Sequence, residues 1–223
     1  MKPTADPSTL GRLEPSNLRT RAWAAIRASI ITGELQPGEI YPVSYFATRL
    51  GVSATPVREA LLDLAGEGLM QIMPNKGFRI LELSEHDLDE IFHLRLLLEV
   101  PSVAEVAGRL SAEQIQHCKT LAGKIEESAT VGDLPEFLKL DRAFHCALIE
   151  PLGNERLLTM INRLRDQARL RALPSLAQSD QLVASSQEHS QMLDAVARGD
   201  TEAVRTLITR HLEHTRGLWA AVP

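Results

Sequence analysis

Cysteine is scarce in this chain. Cys118 and Cys146 are the only two in 223 residues, and they form neither a spaced ligand pair nor a disulfide framework. That excludes a disulfide-stapled secreted scaffold and fits a reducing, cytoplasmic setting. Long apolar runs are missing as well: none reaches the roughly 18–20 residues needed to span a bilayer. The opening MKPTADPSTLGRLEPSN is polar, carries three prolines and lacks an apolar signal core. Residues 1–17 therefore read as a flexible lead-in, and no membrane is expected among the partners. Repeats and low-complexity tracts are absent. So are a Ser or Cys nucleophile motif and an HExxH-type base, which weighs against a hydrolase. The chain also lacks the net positive charge of a typical polyanion binder, standing at −5 at pH 7. Its charge is unevenly spread, however. Residues 1–83 hold 9 Lys+Arg against 8 Asp+Glu, whereas residues 84–223 hold 15 against 21. Phosphate contact is then possible only through local patches of the front third.

What is present is an ordinary globular composition, 44% hydrophobic and 24% charged, long enough for one large domain or two of usual size. Apolar periodicity predicts a helix over Leu18–Thr32 that stops at Gly33, a turn region through GELQPGEIYP, and a short helix at Ser44–Leu50. After a break at Gly51, a helix runs from about Ser53 or Thr55 to Glu67. LMQIMPNKGFRILEL then alternates about a Pro74–Gly77 turn, as a β-hairpin does. From Ser84 onward helices follow one another: about 84–109, 111–129, 133–150, 153–173, 179–198 and 201–220, six or seven in all. Ser84 with Asp87 and Ser111 with Gln114 read as capping boxes. The fold class is mainly α, with a boundary near residues 80–84 and almost no linker.

A helix pair with a tight glycine turn, followed by a hairpin, is the pattern of a winged helix-turn-helix, whose second helix enters the major groove of operator DNA. In LGVSATPVREALLDLAGEGLM, Ser53 can cap the second helix, and Pro56 is tolerated only in its first turn. Leu61, Leu62 and Leu64 point to the core, and Ser53, Thr55 and Arg58 lie on the leading exposed side. The alternative for Arg58 is a surface ion pair with a neighbour such as Asp63. Over roughly Leu18–Leu83, through ITGELQPGE, VSATPVREAL and NKGFRI, the chain resembles the GntR family of bacterial regulators. The resemblance implies that Ser53, Thr55 and Arg58 contact the operator and that Lys76 and Gly77 form the wing tip. Tyr45 and Ala54 stand where that family usually has arginines, so the operator sequence does not carry over.

In LDRAFHCALIE, Asp141 and His145 lie four residues apart, which stacks them on one helical face. His189 and His211 each sit on a later amphipathic helix, on or beside the apolar stripe. A lone histidine there is ordinarily a hydrogen-bonded core residue. One carboxylate and three imidazoles from three helices make a site suited to Zn²⁺, with Ni²⁺ or Mn²⁺ as alternatives. Glu188, beside His189, points to another face, which weighs against a hydrolytic base there, and Cys146 is turned about 100° from His145 and does not count as a ligand. The order Asp-x-x-x-His, His, His over about Ser84–Trp219 is similar to the FadR-like GntR branch with its metal-containing FCD effector domain. That resemblance implies a small organic acid bound beside the metal, with Arg95 as its carboxylate clamp. The alternative for Arg95 is an i,i+4 ion pair with Glu99. Residues 153–189, including Arg163, Arg169, Arg171 and the loop LPSLAQSD, would shape the rest of the pocket.

The expected whole is a homodimeric, effector-controlled DNA-binding regulator, a repressor rather than an enzyme. A lead-in (1–17), a DNA head (18–83) and an effector and dimerisation bundle (84–223) would divide its tasks. Two other readings stay open on sequence: a constitutive DNA-binding dimer with a purely structural bundle, and a metal-dependent hydrolase.

Overall fold

Gly51 sets the geometry of the N-terminal third. The computed structural model describes residues 15–171 and 180–220. Helix α1 (Pro15–Ile31) begins three residues inside the expected lead-in; residues 1–14 lie outside the described residues. Helix α2 (Val43–Leu50) ends at Gly51, whose φ of 64° is left-handed and lets its N–H reach back to Ala47 and Thr48. The chain reverses there into α3 (Ala54–Gly66). Ser53 occupies the N-cap position of α3, but its side chain makes no capping bond. Leu61 and Leu64 are fully buried as expected, whereas Leu62 faces solvent at 46% exposure, because it lies about 100° round the helix from Leu61.

The hairpin strands β2 (Met70–Met73) and β3 (Gly77–Ile80) pair antiparallel, Met70 opposite Ile80. A third strand was not legible in the turn region before α2: β1 (Ile40–Tyr41) adds to β3, with Ile40 opposite Arg79, giving the order β1-β3-β2. Gly77 is required where β1 meets β3. A Cβ there would lie 2.2 Å from the Tyr41 carbonyl oxygen, at a φ of 125°. Ile26, Ile30, Phe46, Val57, Leu61, Leu64, Phe78 and Ile80 form one apolar core.

The remaining helices are α4 (Glu85–Glu105), α5 (Ala112–Val131), α6 (Leu134–Ile149), α7 (Glu155–Ala168), α8 (Asp180–Arg198) and α9 (Thr201–Ala220). Short 3-10 turns follow α6 and α7, at Glu150–Leu152 and Arg169–Arg171. Both expected capping boxes are present, at Ser84/Asp87 and Ser111/Gln114. A second core of Val103, Ile125, Phe144, Leu148, Ile161, Met192, Ile208 and Leu212 joins these helices. Each core takes one residue from the other part of the chain: Leu170 sits in the first and Ile31 of α1 in the second. Among the described residues no helix is long and apolar enough to cross a membrane.

Candidate metal centre

Helix α6 turns Phe137, Leu138, Asp141, Phe144, His145 and Leu148 toward the bundle interior. This inward stripe carries two ionisable groups, one turn apart. His189 of α8 and His211 of α9 face them, so that one ligand atom from each of Asp141, His145, His189 and His211 lies within 4.8 Å of the others. All four residues are at most 3% exposed. Among their rings the centroid spacings are 4.8–5.3 Å, and Phe144 packs edge-on against His145 and His189.

The hydrogen bonds decide which atoms face the centre. His189 Nδ1 lies 2.9 Å from the Ser186 carbonyl, which can only accept, so Nδ1 carries a proton and, in the neutral ring, Nε2 is the lone-pair nitrogen. That Nε2 is 3.1 Å from Asp141 Oδ1. Two electron-rich atoms at that distance require a cation or proton between them. His211 Nδ1 is likewise held by Glu188 Oε2 at 3.0 Å, leaving its Nε2 buried without a partner. Both ring nitrogens of His145 are buried and unpartnered too, its Nε2 at 3.7 Å from Asp141 Oδ1. Unpaired buried nitrogens cost about 1–3 kcal/mol each. Three converging lone pairs and a carboxylate oxygen are the donor set of a divalent cation, so these residues fit a metal.

Protonation agrees with this. Burial, reinforced by the nearby Arg165 charge, pushes His145 well below the usual histidine range. Burial also brings His211 down to about 4, against the opposing pull of the Glu188 hydrogen bond. Burial alone would raise the Asp141 pKa, but Arg165 and Arg169 hold it well below the ordinary carboxylate value. The centre therefore presents an ionised carboxylate and neutral His145 and His211 rings, the states that ligate metal.

The other oxygen of Asp141 has a separate task. Its Oδ2 accepts from Arg165, at 2.6 Å, and from Arg169. Arg165 also donates to Glu99 Oε2 at 2.6 Å, and Arg95 Nε to Glu99 Oε1 at 2.6 Å. The result is a buried row, Arg95–Glu99–Arg165–Asp141–Arg169, with three cations against two anions. Arg95 thus realises both sequence readings: it pairs with Glu99 and it lines a cavity with Asp141, Arg165, Arg169 and Ser185. That cavity encloses only about 10 Å³ of space for water, room for roughly one molecule.

In the N-terminal part, Ser53, Thr55, Arg58 and Lys76 are all exposed. Asp63, the suggested partner of Arg58, instead takes Arg19 through a two-bond pair at 2.6 and 2.7 Å. Among the described residues no ion pair engages Arg58, so its guanidinium stands free on the leading side of α3. Lys76 sits at the hairpin tip beside Asn75, whose φ of 61° is left-handed. Gly77 is half-buried, and the close approach of β1 accounts for it. Tyr45, standing where the resembled family usually has an arginine, packs among Tyr41 and Phe46 and accepts a hydrogen bond from Arg49.

Comparison with known families decides what this assembly belongs to. Residues 18–80 match the family described as "Bacterial regulatory proteins, gntR family", and residues 90–214 match "FCD domain". The chain is a GntR-family regulator with an FCD domain. As such it is a DNA-binding transcription regulator and not an enzyme. This GntR regulator is 30% identical, over 92% of its length and 90% of the relative's, to a "Probable D-xylose utilization operon transcriptional repressor" of Paenarthrobacter nicotinovorans. It is 30% identical to the "HTH-type transcriptional repressor GlaR" of Escherichia coli, over 84% of this chain and 89% of that one. The structure of E. coli McbR/YncC shares its fold, with a TM-score of 0.82 over 91% of this chain and 96% of that chain at 24% identity.

Three residues of the regulator's site escape the sequence pattern. Glu188 does not point away: it is 4% exposed and holds His211 and the half-exposed His214, because α9 lies against that face of α8. Arg165 and Glu99 bridge the centre and were not singled out as site residues. A usable signal existed, since Arg165 interrupts the apolar stripe Ile161, Leu164, Ala168 and so needs a buried anion. Arg169 does line the cavity, whereas Arg163 is exposed beside Trp23 and Glu67. The Arg171 side chain and residues 172–179 lie outside the described residues. Cys146 donates to Asn162 Oδ1 and takes no part in the centre.

Proposed function

We propose that this regulator is a homodimeric, cytoplasmic repressor whose operator binding is controlled by a small organic acid bound beside a divalent metal, zinc first among candidates. Residues 18–83 read double-stranded DNA through Ser53, Thr55, Arg58, Lys76 and the Gly77 turn. Residues 84–223 sense the acid and dimerise, and Asp141, His145, His189 and His211 hold the metal. The observation that carries this is the set of buried, unpartnered nitrogens of His145 and His211 gathered with His189 around Asp141 Oδ1.

A bound divalent ion supplies positive charge and open coordination positions for a carboxylate. The chain's own residues do the rest. Glu188 and the Ser186 carbonyl fix the His211 and His189 rings with their lone pairs inward. Arg165 and Arg169 keep Asp141 ionised. Arg95, Arg165 and Arg169 exceed Glu99 and Asp141 by one positive charge in a desolvated row, which favours an anionic ligand. With the cavity as narrow as it is, the acid enters only if a guanidinium exchanges a carboxylate partner for it. For dimerisation, Leu94 and Leu97 of α4 and Met160 of neighbouring α7 are exposed at 46–58%, apolar area that a two-fold partner covers.

The test is metal quantification together with native mass spectrometry of the purified protein. One divalent ion per chain in a dimer, with a small acid co-purified or taken up, supports the reading. Metal-free protein that also fails to take up zinc overturns it.

A further inference from the structure

One turn of chain, from Arg165 to Leu170, faces two ways. Toward the candidate metal centre, Arg165 and Arg169 grip Asp141 Oδ2. Toward the DNA-binding part, Asp166 binds Arg27 of α1 through two contacts and also takes Arg142 of α6. Gln167 donates to the Glu67 carbonyl, at 2.9 Å, at the C-cap of the recognition helix. It lies so close that a Cβ on Gly68 would sit 2.2 Å from its amide nitrogen. Leu170 completes the apolar core of the head. The recognition helix is therefore held, at the end remote from Ser53, by residues interleaved with those that hold the metal ligand.

We infer that Arg165–Leu170 is the relay through which occupancy of the Asp141 centre reaches the DNA-reading helix. This rests on the metal reading above. A cation held by Asp141 would draw charge from its carboxylate and weaken the grip of Arg165 and Arg169, and Asp166, Gln167 and Leu170 on the same segment would carry the shift to α1 and α3. Coupling needs an element with two arrangements that both sites bias. This segment is tied to the centre by buried bonds and to the head by part-buried ones, and the coupling is reciprocal.

Trp23 is a built-in reporter. Its ring lies 5.6 Å below the Arg27 guanidinium, and its Nε1 donates to Glu67, so it touches both ties of the relay. With Trp219→Phe leaving Trp23 as the single tryptophan, the full-length protein is stripped with a chelator and titrated with zinc. Equilibrium dialysis measures binding and emission measures the response. Trp23 emission should change and saturate at the midpoint of binding. Adding Gln167→Ala should cut that amplitude at least two-fold while zinc affinity stays within about three-fold. Asp166→Asn should do the same if it folds. Zinc binding without any Trp23 response, or an undiminished response in Gln167→Ala, overturns the relay alone. Absence of zinc binding overturns the metal reading and the relay with it.

Discussion

In metal-free protein, stability should depend steeply on pH in a window set by His145 and His211. Both are depressed by burial, His211 to about 4 and His145 well below its ordinary value of 6.5. In the unfolded chain they titrate near 6.5. A histidine depressed on folding binds its proton more readily when unfolded, so its stabilising neutrality is complete above pH 6.5 and is lost as pH falls toward the folded value. The slope approaches 1.4 kcal/mol per pH unit for each such group. Between pH 6 and 5 each ring costs about 1 kcal/mol, and the pair about 2 kcal/mol. Asp141 and Glu99, also depressed, contribute in the same direction but only below about pH 4.5, outside this interval. The assay is urea unfolding of chelator-treated protein at the two pH values, beside a His145→Asn/His211→Asn variant whose amides do not titrate. The variant should lose most of the pH 6-to-5 difference. An equal difference in both proteins would refute the assignment of the two rings as buried and neutral.

His189→Ala and His211→Ala should each abolish stoichiometric zinc by metal analysis, whereas Arg95→Ala should keep zinc and lose uptake of a carboxylate probe such as citrate by calorimetry. Arg58→Ala should weaken binding to a selected operator by about 1–3 kcal/mol in a mobility-shift titration, while Lys76→Ala should chiefly flatten the salt dependence. Gly77→Ala forces a Cβ onto the Tyr41 carbonyl and should cost about 1–3 kcal/mol in thermal unfolding, with DNA binding reduced. Leu97→Glu should shift the protein toward monomer in sedimentation equilibrium if the α4–α7 face is the dimer contact.

The local signals that made the fold legible are strong ones. Gly51, Pro56 and the two capping boxes each act within a few residues, so the helix ends they set are readable without tertiary knowledge. β1 was not readable because a two-residue strand has no periodicity; its existence depends on β3 arriving beside Ile40 and Tyr41. At the site, the i,i+4 spacing of Asp141 and His145 exposes their common face, and the structure brings His189 and His211 to it. Glu188 and Arg165 were hidden for a different reason. Whether a charged residue on a helix flank is solvated or buried depends on the helix that packs over it, and here α9 covers Glu188 while α4 covers Arg165. The dual employment of Arg95 is similar, since Glu99 could be recognised as its neighbour but not as a bridge to Arg165.

The exchange of Leu170 and Ile31 between the two cores bears on how such proteins diversify. A head cut from this chain near residue 83 would leave a leucine-sized hole in its own interior, and the remaining bundle would lack an isoleucine. Chimaeras that join this head to a foreign sensor should therefore be soft unless the graft brings its own equivalent of Asp166, Gln167 and Leu170, matched to Arg27, Gly68 and the floor of the head. Among descendants of one ancestor, those positions should drift in concert, a substitution on one side inviting its compensation on the other. Recombination between regulators would then succeed most often where the crossover falls outside this handshake rather than near residue 83.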